Sequence, residues 1–282
     1  MAVLSAVVIP AFLATMALTI AAWQGASAQG GEDFAVTPPR IVFEGRNEEA
    51  KLTFKNTSAV TTTYRALFIN MRMSESGELS QIAKPGPGER FAAKYVRYAP
   101  HKFTLRPGAT QNVRLLLRKT ADVVLGEKAE YRSHLIFRPE PKDGAGETVA
   151  PAPKYTVPVL FYQGKVGHDL HAETRLTDLA IMPAGEDKRP QLVFRIRRGG
   201  ELSVFGDLTV TLSENGKESV VGSLKDVAVY APYESRTVKI GLNLPEGIVL
   251  RDGQIKVEYK AAKDATGKGG GALTAAAAIG LP

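Results

Sequence analysis

Lys51-Leu52-Thr53-Phe54-Lys55-Asn56 trades polar and apolar side chains at period two. That spacing sets Leu52 and Phe54 on one face of a strand and the lysines on the other. The pattern continues downstream in Tyr64-Arg65-Ala66-Leu67-Phe68-Ile69. Upstream, Ala35-Val36 and Ile41-Val42-Phe43 flank the turn-rich Thr37-Pro38-Pro39. Two further runs follow, Gln111-Asn112-Val113-Arg114-Leu115-Leu116-Leu117 and Tyr131-Arg132-Ser133-His134-Leu135-Ile136-Phe137. Pro85-Gly86-Pro87-Gly88 and Pro107-Gly108 supply the turns, since proline presets φ and glycine accepts positive φ. Only residues 120–128 suit a short helical turn. Short strands broken in this way predict an immunoglobulin-like sandwich.

Residues 139–153 are rich in Pro, Gly and Ala and join neither sheet. The strongly apolar Tyr155-Thr156-Val157-Pro158-Val159-Leu160-Phe161-Tyr162 comes next, and Gln163-Gly164-Lys165-Val166-Gly167 reads as a hinge. A second set of strands is expected at 191–197, 206–213, 227–230, 237–242 and 254–260. Asn215-Gly216 and Asp252-Gly253 serve as hairpin dipeptides. The end of the chain, with Gly269-Gly270-Gly271 and an alanine run, reads as a frayed, low-complexity tail. The expected organisation is all-β, two immunoglobulin-like sandwiches in tandem with a cleft between them. Residues 29–163 form the first, 164–262 the second and 263–282 the tail.

Residues 1–28 contain no Lys, Arg, Asp or Glu, are apolar from Ala2 to Trp23, and end in Ala26-Ser27-Ala28. That reads as a secretory signal cleaved before Gln29 and places the protein in the periplasm. The uncharged start and the length of the apolar run leave a retained anchor open. The absence of cysteine excludes thiol catalysis and thiolate-held metal, and an exported domain without disulfides must rely on its own core. The net charge of +7 is spread along the chain and lacks the basic-aromatic stripe of a nucleic-acid binder. It suits partners with acidic groups or a terminal carboxylate.

No serine has a nucleophile-elbow context, no carboxylate pair is assignable to acid–base work, and no glycine-rich loop joins a strand to a helix. An enzyme, a cofactor and a metal are therefore not expected. His168 and His171 form an H-x-x-H beside a glycine hinge, where a loop suits them better than a metal-binding helix. Pro158 lacks an N–H and marks its strand as an edge or a strand end. An apolar edge strand can extend a partner's sheet. Capping by the second sandwich, or self-association, is the alternative, and the sequence leaves both open.

Taken together, Pro39-Arg40-Ile41-Val42-Phe43-Glu44-Gly45, Leu52-Thr53-Phe54-Lys55-Asn56, Pro100, Leu105-x-Pro107-Gly108, Val113-Arg114 and Leu160-Phe161-Tyr162 resemble the PapD-like periplasmic pilus-assembly chaperones. The resemblance covers about 130 residues well and the second sandwich in outline. It implies an ATP-independent chaperone for pilin-type subunits that works with an outer-membrane usher. Such a chaperone lends a strand to its subunit and grips the subunit's C-terminal carboxylate with two basic residues in the cleft. Arg40 matches the first of these, and its planar guanidinium suits a carboxylate. The family's lysine is replaced by Val159. Lys154, Arg132 and Lys165 are the substitutes, and Lys165 is taken as the working partner of Arg40. The lent strand is expected to show Tyr155, Val157, Val159 and Phe161 on one face, and a one-residue slip would present the other face. The alternative reading is an exported binding or structural protein on the same two sandwiches.

Overall fold

The computed structural model describes residues 29–31, 33–46, 48–121, 127–140, 155–183, 189–214, 216–244, 253–261 and 274–280. Residues 1–28 with the expected leader, residues 141–154 with Lys154, and most of the expected helical turn lie outside them.

The first sandwich is built from β1 (Gln29–Gly31), β2 (Phe34–Thr37), β3 (Ile41–Phe43), β4 (Glu49–Asn56), β5 (Thr62–Met73) and β6 (Leu79–Ile82). It continues with β7 (Val96–Ala99), β8 (Lys102–Leu105), β9 (Thr110–Leu117), β10 (Ala129–Pro139) and β11 (Val157–Gln163). One sheet runs β1-β2-β4-β9-β7; the other runs β3-β11-β10-β5-β6, with β8 also on β5. The period-two alternation does what it predicts. Leu52, Phe54, Val113, Leu115 and Leu135 turn inward and are all but sealed from solvent. Phe54 lies at the centre of an aromatic group with Phe34, Tyr64, Phe103 and Phe137.

The second sandwich comprises β12 (Ala172–Met182), β13 (Gln191–Gly200), β14 (Val204–Glu214), β15 (Lys217–Val229), β16 (Ser235–Gly241), β17 (Gln254–Ala261) and β18 (Thr274–Gly280). Its sheets run β12-β13-β16 and β15-β14-β17-β18 around Leu192, Phe194, Ile196, Val210, Val257 and Tyr259. Two strands correct the sequence reading. β12 occupies the stretch after the hinge, where no strand was expected. A bulge between Thr177 and Ala180, with Asp178 at φ 58°, shifts its inward positions from Leu176 to Leu179 and interrupts the alternation. β18 lies in the expected frayed tail, paired antiparallel with Gln254–Lys260 of β17. Alanines on both of its faces leave no hydropathy period to read.

The two sandwiches are joined by more than the linker. The β5–β6 hairpin reaches across, with Met73 in the second core. Beyond it, the Thr237 N–H donates to the Glu75 carbonyl at 2.8 Å. Arg195 pairs with the Glu75 carboxylate at 3.0 Å.

Candidate functional site: the seam between the sandwiches

β11 is not an edge strand. It lies between β10, antiparallel, and β3, parallel, with Val159, Leu160 and Phe161 opposite Ile41, Val42 and Phe43. Pro158 falls just before the β3 pairing begins, so its missing N–H costs no bond to β3. At Val157 and Pro158 the β3 side of the strand has no strand partner among the described residues.

The expected partner face is also corrected. Val157, Val159 and Phe161 are fully buried in the first sandwich's own core. Phe161 stacks on Tyr131 at 4.5 Å and meets Tyr95 edge-on. Burial of each such side chain contributes about 1.5–3 kcal/mol, so presenting all three to a partner would unmake the domain. Tyr155 is half-buried against Phe34. The opposite face carries Pro158 and Leu160 in register with His134 and Arg132 of β10, and all four are buried. The second sandwich covers that face: the Tyr230 ring receives the Arg132 guanidinium at 4.0 Å and meets the His134 ring edge-on at 5.6 Å. Of the two readings the sequence left open for this strand, capping by the second sandwich holds for its outer face.

Arg40 stands one residue before β3, at the level of Pro158. Its guanidinium lies 4.0 Å over the ring of Phe205, from β14 of the second sandwich. Phe205 in turn meets Tyr230 at 5.5 Å. Arg40, Phe205, Tyr230 and Arg132 thus form one stack across the seam. Arg40 is partly exposed and makes no hydrogen bond or ion pair among the described residues. Arg132 has its Nε and Nη1 sealed from solvent without a hydrogen-bond partner among the described residues, so the Tyr230 ring face is its counterpart. Burial pushes the Tyr230 phenol up, and the positive charges of Arg132 and Arg40 oppose that shift.

Lys165 does not join Arg40. It follows the far end of β11, and the strand from Pro158 to Gln163 alone spans about 17 Å at the usual rise per residue. Its neighbourhood is a turn held by Asp169, which accepts from the Lys165 N–H at 3.0 Å, from His168 and from the Lys128 ammonium. His171 pairs instead with Glu201, so the two histidines of the H-x-x-H diverge. Among the described residues no group of three His, Asp or Glu side chains gathers as for a metal.

Elsewhere along the seam, Glu130 of β10 accepts hydrogen bonds from the Ser203 N–H at 2.7 Å and from its hydroxyl. Burial pushes the Glu130 carboxyl up, against those bonds and the charges of Arg132 and Arg198. A cavity of about 420 Å³ opens beside it between Arg90, Lys128, Arg198 and Glu201; Arg40 does not line it. Phe205 and Tyr230 were missed from the sequence. The available signal was Phe205 itself, an aromatic ring on the outward face of an alternation whose other outward members are Asp207, Thr209 and Thr211.

No family model matches the chain, and no curated protein matches its sequence. Among solved structures, the CupB2 chaperone of Pseudomonas aeruginosa is similar at 14% identity, over 87% of this chain and 100% of that one, with a TM-score of 0.43. The YadV chaperone is similar at 11% identity, over 88% and 100%, with a TM-score of 0.45. A third similar chain comes from the CsuC–CsuE chaperone–tip adhesion subunit pre-assembly complex of the archaic chaperone-usher Csu pili of Acinetobacter baumannii. There the identity is 12%, the coverage 86% and 97%, and the TM-score 0.43.

Proposed function

We propose that this protein is a periplasmic chaperone that holds pilus-type subunits, acts without ATP or cofactor, and hands them to an outer-membrane usher. The observation that carries the reading is Arg40. Its guanidinium is partly exposed at the seam, braced on Phe205, and without a hydrogen bond or ion pair among the described residues. A cation in that position accepts a carboxylate through two parallel N–H bonds, and the C-terminus of a bound chain supplies one. Beside it, the β3 side of β11 has no strand partner at Val157 and Pro158 among the described residues; both are buried, so a strand added there must displace what covers them. Pairing there uses the backbone edge of the chaperone's strand, since Val157, Val159 and Phe161 belong to its own core. The ordered resemblance of the first sandwich's turns and strands to the pilus chaperones supports the same reading.

The test is recovery of a co-expressed fimbrial subunit from periplasmic extract. Arg40→Ala should lower recovery at least tenfold, the scale of a lost charge-assisted pair, with the protein alone still cooperatively folded. Lys165→Ala should leave recovery intact, because the strand separates it from Arg40. Full recovery with Arg40→Ala would sink the carboxylate anchor.

A further inference from the structure

We infer that Phe205 of the second sandwich is a positioning residue for Arg40 of the first, so that the carboxylate grip is assembled from both. This rests on the anchor reading above and adds to it a residue from the other domain. The guanidinium carbon lies over the ring, 4.0 Å from its centre, as in a cation–π contact. Carboxylate binding uses the other part of the group, the N–H bonds in its plane. The two contacts do not compete, and the in-plane donors have no hydrogen-bond partner among the described residues.

The ring is itself held. It meets Tyr230 edge-on at 5.5 Å, and Tyr230 is buried under Arg132. The position of Arg40 is therefore held by a chain of ring contacts that runs back into the seam. A long flexible side chain braced in this way loses less freedom when a carboxylate arrives. Phe205 sits among Asp207, Thr209 and Thr211 on the outward face of β14, partly buried against the second core and under the Arg40 guanidinium.

Two synthetic peptides of alternating valine and threonine test this, one ending in a free carboxylate and the other amidated. Calorimetry with the full protein should show the free acid bound more tightly than the amide. Phe205→Leu keeps an apolar side chain against Tyr230 but removes the ring; it should weaken the free acid about tenfold and leave the amide unchanged. Phe205→Tyr should restore the difference. If Phe205→Leu weakens both peptides equally or neither, Phe205 only packs the seam and the inference is wrong. If the unaltered protein fails to prefer the acid, the anchor reading itself is overturned. The Arg40 Nε–H resonance of the free protein separates these failures. It should lose its ring-current shift in Phe205→Leu and keep it in Phe205→Tyr, and an unmoved resonance in the leucine variant overturns the platform regardless of peptide binding.

Discussion

Asn56 ends an alternation and turns its side chain into the core, where an amide needs partners. It finds them on the turn that follows, on β5 and on β8. Its Nδ2 donates to the carbonyls of Val60 and Leu105 at 2.9 and 3.0 Å, and its Oδ1 accepts from Tyr64 at 3.1 Å and from the Ser58 N–H and hydroxyl. One side chain therefore closes the turn after β4 and ties it to the end of β8. Asn56→Ala takes the side-chain amide from the buried Leu105 carbonyl, while Val60 keeps the Ser58 and Thr62 hydroxyls and Tyr64 keeps the Asp33 carbonyl; it should cost about 1–3 kcal/mol of stability in urea unfolding. In the sequence, Asn56 was legible as the end of a strand and as a point of family resemblance, but its partners were not, because they come from a turn and from β8. Arg40 shows the same limit. The charge before an apolar pair could be read locally, whereas Phe205 beneath it belongs to another domain. Lys165 failed for the complementary reason: nearness in sequence to the end of a strand placed it at the wrong end of that strand.

Among the elements, the strands with clean alternation were legible, and those that depend on a bulge or on small residues were not. β18 illustrates the second kind. Ala275 is buried, Ala277 and Ile279 face inward, and the strand covers the edge of β17 from Gln254 to Lys260. A chain ending at Ala261 should expose that edge, and light scattering should then show concentration-dependent association of an otherwise folded protein. The hinge turn makes a second case. Asp169 gathers the Lys128 ammonium, the Lys165 N–H and His168 around one carboxylate, and these contacts, Lys128 chiefly, hold it well below the usual carboxylate range. Asp169→Ala should free the turn, and trypsin should then cut after the exposed Lys165 faster than in the unaltered protein.

For the molecule as a whole, Glu89 is one of the ties between the sandwiches. It accepts a bidentate pair from Arg72 of β5, at 3.0 and 2.7 Å, and a 2.6 Å bond from the Tyr233 hydroxyl of the second sandwich. The hydrogen bonds from Arg72 chiefly, then those from Tyr233 and the Gly86 N–H, lower its carboxyl to about 2. A carboxyl lowered by folding stabilises the fold above its unfolded value near 4.5, and that contribution fades as pH falls from there towards 2. The melting temperature should drop through that window, and Glu89→Gln should flatten the drop. The two-sandwich plan was visible in the order of turns and strands; the seam was not, because it is made by residues far apart in the chain. The parallel pairing of β3 with β11 reaches equally far, joining the beginning of the first sandwich to its end. Chain emerging in order cannot form that pairing until Phe161 has appeared, and contacts of such long range form slowly. Throughout its own synthesis, this domain is itself a sandwich waiting for its final strand.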